Sequence, residues 1–174
     1  VYIHVWDSLT AGNIGNDQNI CYNTTPNQLT ITSSPAGAAG NYNYQWEIST
    51  DGGTTYSDIG GATNTTYTPE SLTSDKDYRL SIISGYGCGE DFTNAVHINV
   101  YDSLQAGSIS GTDTICYGES PSQLTESTAA SGGGGSYDYS WHESTDMLNW
   151  NAVGANSTSF QPPVLTDTTY YYLE

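Results

Sequence analysis

The amino-acid sequence repeats itself at an offset of 95 residues. The string VWDSLTAG at residues 5–12 returns as VYDSLQAG at residues 100–107, and a YxYxW motif stands at both 42–46 and 137–141. A repeat of this length can bury a small core of its own, whereas the repeats of solenoid proteins run about 20–50 residues and cannot. The sequence therefore predicts whole domains arranged in tandem.

The repeat also predicts where the domains begin and end. Residues 1–7 align with residues 96–102, so we expect them to be the last strand of a preceding repeat. We expect one repeat over residues 8–102 and a second over residues 103–174 that is incomplete at its C-terminal end. These boundaries indicate a segment of a longer array. They also argue against donation of residues 1–7 to another copy, because the second repeat lacks more than one strand and its second cysteine.

Strand periodicity dominates the pattern inside each repeat. Apolar and polar residues alternate in YNYQWEI at 42–48, helical periodicity is absent, and Asp51-Gly52-Gly53 supplies residues that tolerate positive φ in a hairpin turn. The central Trp46 stands where immunoglobulin-like domains have their strand C tryptophan. Together these features predict an all-β protein of tandem immunoglobulin-like β-sandwich domains, with first-repeat strands near 18–22, 28–33, 42–49, 54–59, 65–68, 77–84 and 94–101.

The charge balance excludes several classes of partner. The chain carries 19 acidic and 2 basic residues, a formal charge of −17, which would repel nucleic acid and anionic lipid headgroups. No apolar run of about 18 residues is present, so we expect no membrane insertion. Charged residues are still only 12% of the chain. The surface must therefore be built mostly from Thr, Ser, Asn and Gly, as is typical of proteins outside the cell.

The three cysteines favour the same compartment. Cys21 and Cys88 lie near the start and end of the first repeat and form the natural pair. A bridge that closes about 67 residues would stabilise the domain by roughly 4 kcal/mol. We expect Cys116 to pair outside the sequence, with a cysteine near a would-be position 181. Two alternatives stay open, which are three reduced, buried thiols and an intermolecular bridge through Cys116.

A longer set of motifs resembles one group of bacterial proteins. The set includes LxAGxI at 9–14, QxICY at 18–22, SxDG at 49–52, IxGAT at 59–63 and GCG at 87–89. It is similar to the tandem immunoglobulin-like repeats of giant surface adhesins exported by the type IX secretion system. The resemblance implies a long extracellular filament, attached to the cell surface, that serves cell attachment, gliding motility or capture of other cells.

The resemblance also implies the partners. These are neighbouring repeats of the same chain, further copies in a homo-oligomeric fibre, and other cell surfaces or glycans. Two other functions fit the repeat pattern: a subunit of a multi-chain extracellular fibre, and a spacer or binding module of a secreted hydrolase. No motif assembles a catalytic dyad, a metalloprotease site or a phosphate-binding loop, so we expect no enzymatic activity.

Calcium and glycans are the two ligands for which the sequence offers candidate residues. Calcium prefers six to eight oxygen ligands, and no segment fits a calcium-binding loop. We therefore expect no metal and no other cofactor. Calcium is the alternative that stays open, and its candidate ligands are Asp7, Asp75, Asp77 and Asp102. An Asp-Ser/Thr triplet resembles the O-glycosylation acceptor of the same bacterial group and implies glycans at Ser8, Ser103, Thr114 and Thr168. The tyrosines and tryptophans are interpreted as packing residues rather than as a glycan-binding surface.

Overall fold

Short β-strands make up nearly all of the regular structure. A computed structural model describes residues 1–174, and the chain divides into two units, Val1–Asp102 and Ser103–Glu174. The first unit contains the strands β1 (Asn13–Gly15), β2 (Gln18–Cys21), β3 (Leu29–Ser33), β4 (Tyr42–Ser49), β5 (Ser57–Asp58), β6 (Thr66–Tyr67), β7 (Lys76–Ser84), β8 (Glu90–Phe92) and β9 (Val96–Tyr101), with one 3₁₀ turn at Ala38–Gly40.

Two sheets form the sandwich of the first unit. One has the order β1-β3-β6, and the other has the order β2-β9-β7-β4-β5 with β8 also paired to β7. β9 lies between β2 and β7. It runs antiparallel to β7, with Val96 opposite Tyr78, and parallel to β2, with Val100 opposite Ile20. The sheet is therefore complete only when β9, at the end of the repeat, has paired with β2 near its start.

The core lies between the two sheets around Trp46. Trp46, Leu29 and Leu80 are fully buried, because alternate residues of their strands point to the same face. The indole N–H of Trp46 donates a hydrogen bond to the Asn64 carbonyl at 2.9 Å, so the ring is buried without an unsatisfied donor. The core thus brings both sheets together, and the predicted immunoglobulin-like sandwich class is confirmed.

The second unit follows the same plan with fewer strands. Its fully buried Trp141 donates to the Ser157 carbonyl at 2.9 Å, just as Trp46 donates in the first unit. It has no counterpart of β2, β8 or β9. The strands β10 (Ser108–Ile109), β11 (Leu124–Thr128), β12 (Ser140–Ser144), β13 (Asn151–Ala155), β14 (Ser159–Phe160) and β15 (Tyr170–Leu173) form the sheets β10-β11-β14 and β13-β12-β15.

An aspartate organises the same turn in both units. The Asp51 carboxylate accepts hydrogen bonds from the Thr55 hydroxyl at 2.6 Å, the Thr55 N–H at 2.8 Å and the Ser49 hydroxyl at 2.8 Å. These bonds favour the ionised carboxylate and lower the pKa of Asp51 to about 2. Hydrogen bonds from the Asn149 N–H and other turn groups likewise lower the pKa of Asp146. Both turns therefore depend on an ionised aspartate.

Acidification is expected to loosen the Asp51 turn. Because the folded pKa is depressed, the stabilisation is present above the unfolded pKa of about 3.9 and is lost as the pH falls through about 2. A carboxyl-carbon NMR titration should show Asp51 protonating near pH 2, and the Thr55 amide should begin to exchange faster in the same range. Protonation of Asp51 near pH 4 would contradict the hydrogen-bonded turn.

Candidate functional site

Two side chains near the end of the first repeat fasten its beginning. The Asn94 amide oxygen accepts a hydrogen bond from the Ile14 N–H at 3.0 Å, and the Asn94 NH₂ donates to the Ile14 carbonyl at 2.9 Å. The Asp91 carboxylate accepts from the Ala11 N–H at 2.9 Å. Ile14 and Ala11 are buried, so water cannot readily replace these partners.

A third side chain extends the fastening to β2. The Asp17 carboxylate accepts from the His97 N–H at 2.9 Å, and β2 then pairs in parallel with β9 along all four of its residues. Each of the three side-chain links joins residues 80 positions apart. We call the contacts of Asp17, Asp91 and Asn94, together with the β2–β9 pairing, the terminal clamp.

The terminal clamp determines how a pulling force would act on the unit. Because β2 and β9 are parallel, a pull on the two ends of the repeat drags these strands in opposite directions along their length. Their hydrogen bonds are then loaded together in shear rather than broken one at a time. Such a geometry resists extension more strongly than a pair of strands that opens from one end.

The strand register separates two of the predicted site residues, Cys21 and Cys88. Cys21 lies opposite Tyr101 of β9. This position is three residues beyond the one at which β9 pairs with Lys76, the first residue of β7. Cys88 lies in the loop between β7 and β8, past Ile83. The strand from Lys76 to Ile83 alone spans about 23 Å, but a disulfide requires Cα atoms within roughly 7 Å of each other. The predicted Cys21–Cys88 bridge is therefore incompatible with this fold.

The cysteines are also not buried. Cys21, Cys88 and Cys116 are all exposed free thiols, so the alternative of three buried thiols is wrong as well. The two cysteines of the first unit lie at its opposite ends. An intermolecular bridge through Cys116 stays a prediction, as does its pairing with a cysteine outside the sequence.

Two of the calcium candidates take part in strand contacts instead. The Asp75 carboxylate accepts a hydrogen bond from the Val100 N–H at 2.7 Å, and the Asp77 carboxylate lies 2.8 Å from the imidazole Nδ1 of His97. The structure contains no group of three or more His, Cys, Asp or Glu side chains arranged to hold a metal ion. Calcium at these two residues, and at the exposed Asp7 and Asp102, is not supported by a set of convergent ligands.

The four predicted glycosylation residues are accessible. Their side chains lie on the surface and no strand covers them: Ser8, Ser103, Thr114 and Thr168 are all exposed. Two of the four, Thr114 and Thr168, line the same groove in the second unit. Modification at these residues stays a prediction.

A cation lies between aromatic rings on the outer face of the first unit. The Arg79 guanidinium stands 4.1 Å from the ring centroid of Tyr56 and 3.9 Å from that of Phe92. The same guanidinium is paired with Glu47, whose side chain is nearly buried. The ring face of Tyr56 is therefore covered by the Arg79 guanidinium. This contact favours the interpretation of Tyr56 as a packing residue over that of a free glycan-binding ring.

The second unit replaces that cation by an aromatic stack. Tyr172, the counterpart of Arg79, stacks on His142 with 4.6 Å between centroids and 2° between planes, and Trp150 meets Tyr172 edge-on at 4.7 Å. His142 Nε2 lies 3.2 Å from the Glu174 carboxylate but lacks hydrogen-bond alignment. These rings therefore also pack on one another.

Sequence matching places the chain in a family. The model of one family matches residues 10–102 and again residues 105–173, and that family is described as a domain of unknown function, DUF8696. The chain belongs to this family. Each structural unit carries one DUF8696 match. No curated protein matches the sequence.

Two solved multi-domain structures are similar to the DUF8696 chain. Domains A168–A170 of titin give a TM-score of 0.49 at 16% identity, covering 97% of this chain and 60% of that one. The FN1–FN3 domains of chicken CNTN1 give 0.31 at 12% identity, covering 93% and 59%. The chain thus spans about three fifths of the length of either structure. The fold of the DUF8696 units is defined by their own strand order and buried core, and not by these two similarities.

The clamp residues are missing from the sequence-based predictions. Asp17 and Asn94 lie in short connections between strands, and Asp91 lies in the three-residue strand β8. For such short polar residues, turns and solvated charge are the usual explanation. Their backbone partners stand 80 positions away, and residue type alone does not indicate contacts at that distance. Only the folded arrangement of β1, β2, β8 and β9 brings the partners together.

Replacing Asn94 by Ala is expected to destabilise the first unit by about 1–3 kcal/mol, because the N–H and carbonyl of the buried Ile14 lose their partner. Urea unfolding followed through the NMR signals of residues 8–102 would measure the change. Asn19→Ala is the matched control, since Asn19 is exposed on β2. Equal destabilisation by the two substitutions would contradict the clamp.

Removing Cys21 and Cys88 is expected to leave stability unchanged. The double variant Cys21→Ser, Cys88→Ser should unfold within about 0.5 kcal/mol of the parent under oxidising conditions, and peptide mapping of the non-reduced monomer should reveal no Cys21–Cys88 link. A linked peptide, together with a loss of roughly 4 kcal/mol in the variant, would show that the strand register is wrong.

Proposed function

We propose that this DUF8696 chain is a mechanical segment of a long extracellular filament that attaches cells to surfaces or to other cells. The observation that carries the proposal is the terminal clamp, because it places the two ends of a repeat on adjacent parallel strands. Repeats built in this way transmit force along the chain while each core stays folded. Tandem repetition adds reach without requiring any new kind of domain.

The surface chemistry supports a location outside the cell. The formal charge of −17 and the predominance of uncharged polar residues suit a protein exposed to salt water, because such a surface remains soluble and repels nonspecific anionic partners. None of the helical structure is long and apolar enough to cross a membrane. The resemblance to adhesin repeats exported by the type IX secretion system extends the proposal to gliding or to the capture of other cells.

Single-molecule pulling tests the mechanical part of the proposal. The chain, flanked by marker domains, is expected to show a distinct unfolding event for residues 8–102. The double variant Asp91→Ala, Asn94→Ala should raise the unfolding rate of that event at constant force about tenfold, equivalent to ~1.4 kcal/mol of barrier. The control Asn19→Ala should leave the rate unchanged. An unfolding rate that does not respond to loss of the clamp would refute a force-resisting role.

Labelling of intact cells tests the adhesive part. An antibody raised against this chain should decorate filaments on unpermeabilised cells of the source organism, and deletion of the gene should reduce attachment to surfaces or to other cells. A signal that appears only after permeabilisation would exclude the proposed location. Normal attachment after deletion would exclude the adhesive role even if the filaments are present.

A further inference from the structure

A turn with an uncommon backbone recurs in both units just before the central tryptophan strand. Residues 37–40 of the first unit have φ angles of 79°, 44°, 69° and 74°. Residues 132–135 of the second unit have φ angles of 75°, 57°, 92° and 77°. The two stretches correspond at the repeat offset of 95. Four consecutive positive φ angles are therefore a property of the repeat.

In the first unit this turn binds the segment with which the repeat begins. The Ala38 N–H donates a hydrogen bond to the Asp7 carbonyl at 2.9 Å. Thr10 and Ala36 exchange two backbone hydrogen bonds, at 2.9 and 3.0 Å. We call the turn and these three bonds the turn latch. The latch holds residues 7–10 against the unit.

Close packing fixes the shape of the turn. A Cβ atom on Gly37 would stand 2.0 Å from the Ser8 carbonyl oxygen, so only glycine permits this approach of the two backbones. On the other side, the Tyr42 hydroxyl donates a hydrogen bond to the Gly37 carbonyl at 2.8 Å. The turn is thus held between the first residues of the repeat and β4.

The second unit has the same latch. Gln105 and Ser131, the counterparts of Thr10 and Ala36, exchange backbone hydrogen bonds at 2.8 and 3.0 Å. The Tyr137 hydroxyl donates to the carbonyl of residue 132 at 2.7 Å. All four residues of this turn are glycines, which adopt positive φ freely.

Two alanines strain the latch of the first unit. Ala38 and Ala39 have positive φ, a conformation that is disfavoured for any residue with a Cβ atom. The Ala38 methyl group is fully buried, so its packing offsets part of the cost. Ala39 is only half-buried and gains less. Opening of the latch allows both residues to return to favoured backbone conformations.

The latch is held less firmly than the terminal clamp. Thr10 and Ala36 are exposed, so water can replace their hydrogen bonds when the segment moves away. Leu9 is the one side chain of residues 7–10 that packs against the core, and it is only partly buried. The clamp instead bonds the buried Ile14 and Ala11. Segments with few buried contacts open locally at low free energy.

We propose that the turn latch opens and closes by itself while the terminal clamp stays formed, and that the strain at Ala38 and Ala39 favours its opening. A pull that arrives through residue 7 reaches the latch before it reaches Ala11, the first residue bonded by the clamp. The latch is then the reversible first step of extension. This role under force rests on the proposed mechanical function, whereas the opening itself does not.

Native-state hydrogen exchange of the whole chain tests the independent opening without any force. The Thr10 amide should exchange at least about a hundredfold faster than the Ile14 amide. Urea below the unfolding transition should accelerate exchange of Ile14 but hardly affect Thr10, because local opening exposes little surface. Equal rates with the same urea dependence would overturn the proposal. Such a failure would leave the pulling experiment on the clamp unaffected, so the two failures are distinguishable.

Two glycine substitutions in the latch test the strain. Ala39→Gly should slow exchange of the Thr10 amide about fivefold, because it removes a disfavoured positive φ from the closed latch. Ala36→Gly is the matched control. The φ of Ala36 is not positive, so glycine there only adds freedom to the open segment and should accelerate exchange of Thr10. Ile14 should exchange at the parent rate in both variants. Unchanged or faster Thr10 exchange in Ala39→Gly, or equal shifts in the two variants, would overturn the proposal.

Discussion

The position of β9 between β2 and β7 is the constraint on which the rest of the first repeat depends. β9 contributes buried side chains to the core, and it supplies the backbone partners of β2. The residues that it joins stand about 80 positions apart, so most of the repeat must be ordered before the sheet closes. Contacts of such long sequence separation make folding slow compared with domains built from local contacts. They also make the closed repeat a single cooperative structure.

The same closure explains why the repeat suits a mechanical role. β2, near the beginning of the repeat, and β9, at its end, are neighbouring parallel strands. Asp91 and Asn94, near the end of the repeat, also form hydrogen bonds with residues near its beginning. On the outer face, Arg79 packs between two rings of the first unit, and Tyr172 packs in an aromatic stack of the second unit. Because the exposed thiols lie at opposite ends of the first unit, they form no bridge with each other, and packing and hydrogen bonds stabilise the unit.

The sequence was informative wherever local pattern decides structure. Alternation around Trp46 predicted β4, and the Asp51 turn predicted the hairpin that follows it. β1 and β8 escaped prediction because strands of three residues carry too little periodicity, and each lies next to glycine. The Cys21–Cys88 pairing failed for a different reason. Proximity to the two ends of a repeat says nothing about which end of the sandwich a residue occupies.

The terminal clamp required the sheet order, which no local pattern encodes. The repeat did indicate which strands of the two units are equivalent. The two units therefore form an internal comparison within one chain, because one contains β9 and the other does not.

Amide hydrogen exchange on the monomeric chain tests the central claim most directly, that β9 closes the repeat. The account predicts that amides of β2 and β7 in the first unit exchange at least about a hundredfold more slowly than those of residues 113–116 and 170–173, since their opening requires cooperative unfolding rather than local motion. Equal protection in the two units would contradict the claim, because closure by β9 would then make no difference to stability.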